Sequence, residues 1–287
     1  MSQVFDERVC TLGEGPLWHP VRRQLFWFDI IGKKMLSQEN GEAREWDFDE
    51  HVSAAGWVDE DTLIIASETA LWKFTLSTDE QEYLVSLEAD NPVTRSNDGR
   101  GDPWGGFWIG TMGKNAEPGA GAIYRYFGGE LRKLVSNVQI TNAICFDKAR
   151  ACAYYTDTLT RLVMRQGLDA ETGWPVGAAE VFLDLRDDET CGPDGAVVDA
   201  EGNFWLAQWG ASRVACFSPG GTFLRAVEVG GQHSSCPAFG GADLRTLFVT
   251  TAREGVDDET LAKVPENGMT FAVENVAQGV AEPQVVL

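Results

Sequence analysis

The stretch "AICFDKARACAYYTDT", residues 143–158, holds two short apolar runs on either side of a charged turn, DKAR. The second run centres on an aromatic, Tyr155, and ends in small or polar residues. The same pattern returns in "PLWHPVRRQLFWFDI" (16–30), "AGWVDEDTLIIASE" (55–68) and "GRGDPWGGFWIGTM" (99–112), and again in "AVVDAEGNFWLAQW" (196–209) and "AFGGADLRTLFVTTA" (238–252). The second runs centre on Trp27, Ile65, Trp108, Tyr155, Trp205 and Phe248, at intervals of 38, 43, 47, 50 and 43 residues. An interval of that size fits four strands, and the stretches between supply the other two: "KKMLSQE" with "AREWDF", and "SRVACFS" with "TFLRAVEV". Six such units filling the chain predict an all-β, six-bladed β-propeller with four-stranded blades, residues 1–287 forming one domain.

Composition agrees. The 287 residues include 10 Trp, 15 Phe and 31 Gly, a mixture that favours short strands and tight turns over helical bundles. Only "DDETLAKVPENG" (257–268) offers a turn or two of helix. The formal net charge of -21 repels phosphates, so nucleic acid and anionic membranes are not expected as partners. No apolar run approaches the roughly 18 residues of a membrane helix. The opening "MSQVFDERVC" lacks the apolar core of a secretory signal. Six cysteines without CxxC spacing read as reduced core thiols, and the expected compartment is the cytoplasm. The sequence carries no signal for oligomeric state.

The candidate site emerges from register. The turn after each first strand begins at His19, Asp102, Asp147 and Asp199, and counting back five gives Glu14, Asn97, Asn142 and Asp194. The same count from Asp59 in the second unit gives Ala54, and in the sixth it falls near Ser235 or Cys236. In a propeller these strands start around one mouth of the axial channel, so the four oxygen-bearing side chains are expected to converge. Two carboxylates facing each other in a partly buried funnel repel, and desolvation adds to the cost, unless a proton or a divalent cation intervenes. All-oxygen ligation suits Ca²⁺, Mg²⁺ or Mn²⁺, and Zn²⁺ remains open.

At these residues the chain resembles the SMP-30/gluconolactonase/regucalcin family, and among its members the bacterial sugar lactonases. The carriers are "LGEGPLW", "TRSNDGRGDPWGGFWIGTM", "TNAICFD" followed by "YYTDT", "GPDGAVVDAEGNFWLAQWG" and "FGGADLRTLFVTTAR", spanning about residues 10 to 255. The resemblance implies that Glu14, Asn142 and Asp194 ligate one divalent metal, Ca²⁺ foremost, with Mg²⁺, Mn²⁺, Zn²⁺ or Fe²⁺ as the others. It implies that Asn97 lies beside the metal holding water or substrate, and that Arg95 binds sugar hydroxyls or the lactone carboxyl group. After "GTM" the family places a substrate-contacting side chain, often acidic; here Lys114 and Asn115 occupy that neighbourhood.

The expected reaction is hydrolysis of a five- or six-membered aldonolactone, with the metal as Lewis acid and Asp194 as candidate general base. A non-catalytic propeller holding Ca²⁺ or sugar, or a promiscuous ester or phosphotriester hydrolase, is the alternative. With three histidines and no G-x-S-x-G run, a Ser-His-Asp hydrolase is disfavoured. Asp29 and Asp157 read as hydrogen-bonding residues within their blades, Trp27, Trp108 and Trp205 as blade core, and His19 as structural. His51, His233 and Trp209 are candidates for the mouth.

Overall fold

Aromatic and β-branched residues on both faces of a strand demand burial on both sides, and the second strand of every unit meets that demand. Gln24–Asp29, Thr62–Ser67 and Phe107–Gly113 are buried along their whole length. The strands farthest from them in each unit, such as Glu42–Asp47 and Phe223–Glu228, are largely exposed. This gradient from buried to wet is that of a sheet standing edge-on to a central axis. The computed structural model describes residues 2–188 and 190–287. Among them it holds six four-stranded antiparallel sheets arranged as a six-bladed β-propeller. The one α-helix among the described residues, Asp258–Lys263, lies in the segment expected to offer a turn or two.

The innermost strands of blades 1 to 6 are Gly13–His19, Val52–Trp57, Thr94–Gly101, Thr141–Asp147, Gly192–Val198 and His233–Gly240. Five blades are simple meanders. The sixth takes its outermost strand from the other end of the chain: Gln3–Asp6 pairs antiparallel with Thr270–Val273. Arg8 pins that strand, donating to Asp6 and to the Ser37 carbonyl of blade 1, with its guanidinium 5.1 Å from the Trp27 ring.

Apolar side chains interleave between blades. Leu17, Phe26 and Phe28 of blade 1 pack on Val52, Leu63, Ile65 and Phe74 of blade 2. Trp27, Trp108 and Trp205 are buried, as core residues should be. Each such side chain contributes about 2–3 kcal/mol through burial. Asp29 accepts the N–H groups of Thr11 and Leu12, and Asp157 those of Gln139 and Ile140, so each ties its blade to the loop entering it. His19 is buried, its Nε2 against the Asp59 carbonyl at 2.9 Å. All six cysteines are buried free thiols.

The C-terminal segment crosses the end of the channel opposite the strand starts. Val285 is buried and bonds its N–H to the Trp57 carbonyl. Trp57 Nε1 donates to the Glu282 carbonyl at 2.7 Å, and the Glu282 carboxylate pairs with buried Arg100.

All six inner strands share a further feature. Pairing with the second strand slips between Glu14 and Leu17, Val52 and Ala54, Ser96 and Gly99, Asn142 and Cys145, Pro193 and Ala196, and Ser234 and Pro237. These are β-bulges, which bend a strand and re-aim its side chains. Gly15 and Ala143, in the bulges of blades 1 and 4, have positive φ of 54° and 58°. A Cβ on Gly15 would lie 2.2 Å from the Ser53 carbonyl oxygen, so only glycine fits there.

Candidate active site

The bulges surround one mouth of the channel, where a cavity of about 570 Å³ opens. Its lining includes Glu14, Arg95, Asn97, Asn142 and Asp194 from the inner strands of blades 1, 3, 4 and 5. These five side chains are buried in the walls of the cavity. They do not share one register. Glu14 and Asn142 are the last paired residues before their bulges, whereas Asn97 and Asp194 are the first residues inside theirs. The reason lies at the far end of the strands. His19 and Asp147 are themselves the last paired residues, while Asp102 and Asp199 lie one position beyond, so an equal count lands one residue deeper in blades 3 and 5.

Hydrogen bonds fix how the amides face. Asn142 Nδ2 donates to Thr158 Oγ1 at 2.9 Å, and that hydroxyl donates to the Pro193 carbonyl at 2.9 Å. The chain of donors turns Asn142 Oδ1 to the other side, where Asn97 Nδ2 meets it at 3.1 Å. Asn97 Nδ2 also donates to the Thr141 carbonyl, and Asn97 Oδ1 accepts from Arg95 Nη1 at 2.7 Å. Arg95, Asn97 and Asn142 therefore form one continuous polar floor.

A third buried carboxylate stands beside these residues, and the sequence reading passed over it. Asp98 Oδ2 accepts the Ile144 N–H at 2.6 Å, stitching blade 3 to blade 4. In "SNDGR" it looks like an ordinary turn aspartate. Only its bulge position, beside the axis, distinguishes it.

Three carboxylates buried side by side alter one another's chemistry. Burial first, then the charge of Asp98, pushes Glu14 from 4.5 up to about 8. Burial pushes Asp98 from 3.8 to about 6. Burial, then Glu14 and Asp98, holds Asp194 well above the ordinary carboxylate range. Among the described residues, neither Glu14 nor Asp194 has a lysine or arginine within ion-pair distance. The charges of Arg95 and Arg100 offset Glu14 and Asp98 in part, and none is set against Asp194, so a divalent cation fits the deficit that is left. No group of three or more His, Cys, Asp or Glu side chains among the described residues is disposed to hold a metal. A cation here would need the Asn142 carboxamide oxygen as well as the two carboxylates, an all-oxygen set suited to hard ions.

The upper wall differs from the floor. Lys114 and Asn115 reach the cavity rim but are engaged there. Lys114 pairs with Glu68 and donates to the Pro92 carbonyl, and Asn115 donates to Glu117. His51 stands behind Lys114, 2.7 Å from the other Glu68 oxygen, and is not part of the lining. Trp209 lines the cavity, with His233 stacked on its outer face at 4.2 Å and 21°.

Residues 12–253 match the SMP-30/Gluconolactonase/LRE-like region. The chain belongs to this family. Within it, a protein of Rhizobium meliloti assigned as a sugar lactone lactonase is 39% identical over 284 residues, covering 98% of this chain and 96% of that one. A 6-deoxy-6-sulfogluconolactonase of Pseudomonas putida is 32% identical over 280 residues, covering 95% and 94%. The crystal structure of a calcium-binding protein, regucalcin, from Agrobacterium tumefaciens superposes with a TM-score of 0.97 at 38% identity, covering 100% of this chain and 98% of that one.

Proposed function

We infer that this protein is a sugar lactonase that opens a five- or six-membered aldonolactone to the aldonic acid. The observation that carries this reading is the convergence of Glu14, Asn142 and Asp194 beside the Arg95–Asn97 floor of a single cavity. The lactonase names of relatives across nearly the whole chain support it. Glu14, Asn142 and Asp194 would hold one divalent cation, with Ca²⁺ the first choice for an all-oxygen set and Mg²⁺, Mn²⁺, Zn²⁺ or Fe²⁺ the others to test. Such an ion, when bound, supplies Lewis acidity toward the carbonyl and neutralises the paired carboxylates.

The remaining work belongs to the chain itself. Arg95 donates to the ring hydroxyls and holds the lactone carbonyl at the floor, and Asn97, whose two N–H groups are engaged by Thr141 and Asn142, accepts a hydroxyl through Oδ1. Asp194 takes a proton from the attacking water as its oxygen bonds the carbonyl carbon. The ring C–O bond then breaks, and the proton passes to the leaving alkoxide. Lys114 and Asn115 face the substrate from the rim. No covalent nucleophile is needed, because a lactone is an activated ester and positioning supplies much of the barrier reduction. Six reduced, buried thiols agree with a cytoplasmic site of action. Among the described residues, no helix is long and apolar enough to cross a membrane.

The test is a pH-stat panel of aldonolactones on chelated protein and on protein restored with each of the five cations, with Asp194→Ala as control. Activity should return with at least one metal and fall about 10²–10⁴-fold in the variant. Equal rates with and without metal would overturn the metal assignment. No hydrolysis of any lactone would overturn the enzyme, leaving a propeller that binds without turnover.

A further inference from the structure

The wall above the polar floor carries an aliphatic pair, and that pair is built twice. Leu12 immediately precedes the inner strand of blade 1, and Ile140 holds the same place before the inner strand of blade 4. Their backbones are held identically: Leu12 N–H to Asp29 and Leu12 carbonyl to the Ile30 N–H, Ile140 N–H to Asp157 and Ile140 carbonyl to the Thr158 N–H. Two residues past each aspartate stand Ile31 and Leu159, again equivalent in register. Blades 1 and 4 face each other across a six-bladed ring, so the four side chains form two opposed aliphatic pairs, all lining the cavity. Ile31 is 40% and Leu159 55% exposed, at the lip, whereas Leu12 is buried.

Single exposed aliphatics are ordinary, but a matched set around one polar floor is not. The wall is also rigid. Leu12, Ile30 and Ala252 form a cluster on which Trp209 packs, and His233 backs Trp209. At the rim, Lys114 is held by Glu68 and the Pro92 carbonyl, one Asn115 amide N–H by Glu117, and Arg161 Nη1 by the Asp188 carbonyl at 2.6 Å, and the Glu254 carboxylate lines the cavity as well. A hydroxyl placed against Ile31 or Leu159 meets aliphatic carbon and loses its water.

With the carbonyl and ring hydroxyls at the floor, the exocyclic carbons of a lactone are left facing the mouth. We propose that the preferred substrate is an aldonolactone whose exocyclic end is reduced, bearing a methyl group where common hexonolactones bear a hydroxymethyl. This rests on the lactonase reading and specifies its substrate class. Leu12, Ile140, Ile31 and Leu159 are the specificity-determining residues, and Trp209 supplies a flat face for the C–H side of the ring.

Two matched pairs of probes differ only in that hydroxyl: L-rhamnono-1,4-lactone against L-mannono-1,4-lactone, and D-fucono-1,4-lactone against D-galactono-1,4-lactone. The expected result is a kcat/KM about tenfold higher for the deoxy member of at least one pair, within the range that one small group earns in an apolar pocket. In the double variant Ile31→Asn, Leu159→Asn, both at exposed positions, that ratio should fall to about one or invert. Hydrolysis in which the hydroxylated member is equal or faster in both pairs overturns the proposal, as does activity confined to pentonolactones. If no lactone is hydrolysed, the lactonase reading fails separately. Saturation-transfer NMR then decides: the methyl protons of the deoxy lactones should receive the strongest saturation in the wild type and lose it in the double variant, and a methyl signal no stronger than that of the ring protons overturns the proposal.

Discussion

Asn142 shows how much of this site is orientation. A carboxamide presents either an acceptor or a donor, and the Thr158–Pro193 relay decides which. Replacing Thr158 with Val keeps the shape and removes the relay. Affinity for the cation proposed at this site should fall about 10–100-fold by calorimetry, with little change in the melting temperature of chelated protein. Glu14 carries a second consequence. Its carboxyl titrates near 4.5 in the unfolded chain and near 8 in the metal-free fold, chiefly through burial and then Asp98. The native state therefore holds a proton that the unfolded chain has released across that window. Stability of the metal-free protein should fall as pH rises from about 4.5 to about 8, by up to about 1.4 kcal/mol per pH unit for this group. Melting curves of chelated protein should show that slope, and Glu14→Gln should flatten it. Saturating cation should oppose it, since binding displaces the proton.

At the scale of the strand, the bulge is what makes the site. Without the slipped residue, neighbouring side chains would alternate toward and away from the channel, and Asn97 could not share a floor with Asn142. Gly15→Ala tests this directly. A left-handed φ and a 2.2 Å approach to the Ser53 carbonyl should cost about 2–4 kcal/mol, read as a lower denaturant midpoint. The bulges also mark where the sequence stops being legible. Strands such as "LFWF" and "FWLAQW" announce themselves because both faces must be apolar. Glu14, Asn97, Asn142 and Asp194 are recoverable by counting, although the count passes through two registers without showing it. Asp98 is invisible, because NDG has the composition of a turn whether it is one or not. The strand Gln3–Asp6 is equally silent: it has four residues, no hairpin signal, and a partner more than 260 positions away.

For the molecule as a whole, the C-terminal segment crosses the end of the channel opposite the site, beside a second cavity of about 600 Å³ lined by the strand ends of blades 3, 4 and 5. That crossing depends on Glu282, whose carboxylate is the ion-pair partner of buried Arg100. Glu282→Ala leaves a guanidinium charge in the channel without its counter-ion, and about 3–5 kcal/mol of stability should be lost in chemical denaturation. Val285, set between blades 2 and 3, makes the same segment an apolar stopper, so truncation before residue 280 should lower the melting temperature further.

The sixth sheet is completed by Gln3–Asp6, which leaves the ribosome more than 260 residues ahead of its neighbour Thr270–Val273. At about 5–20 residues per second, the early strand waits from about a quarter of a minute to nearly a minute for its place to exist. Until it docks, Thr270–Val273 is a bare β-edge, able to recruit a stranger's strand in its stead. The latch that closes the ring is therefore also the step at which a crowded nascent chain is exposed to swapping.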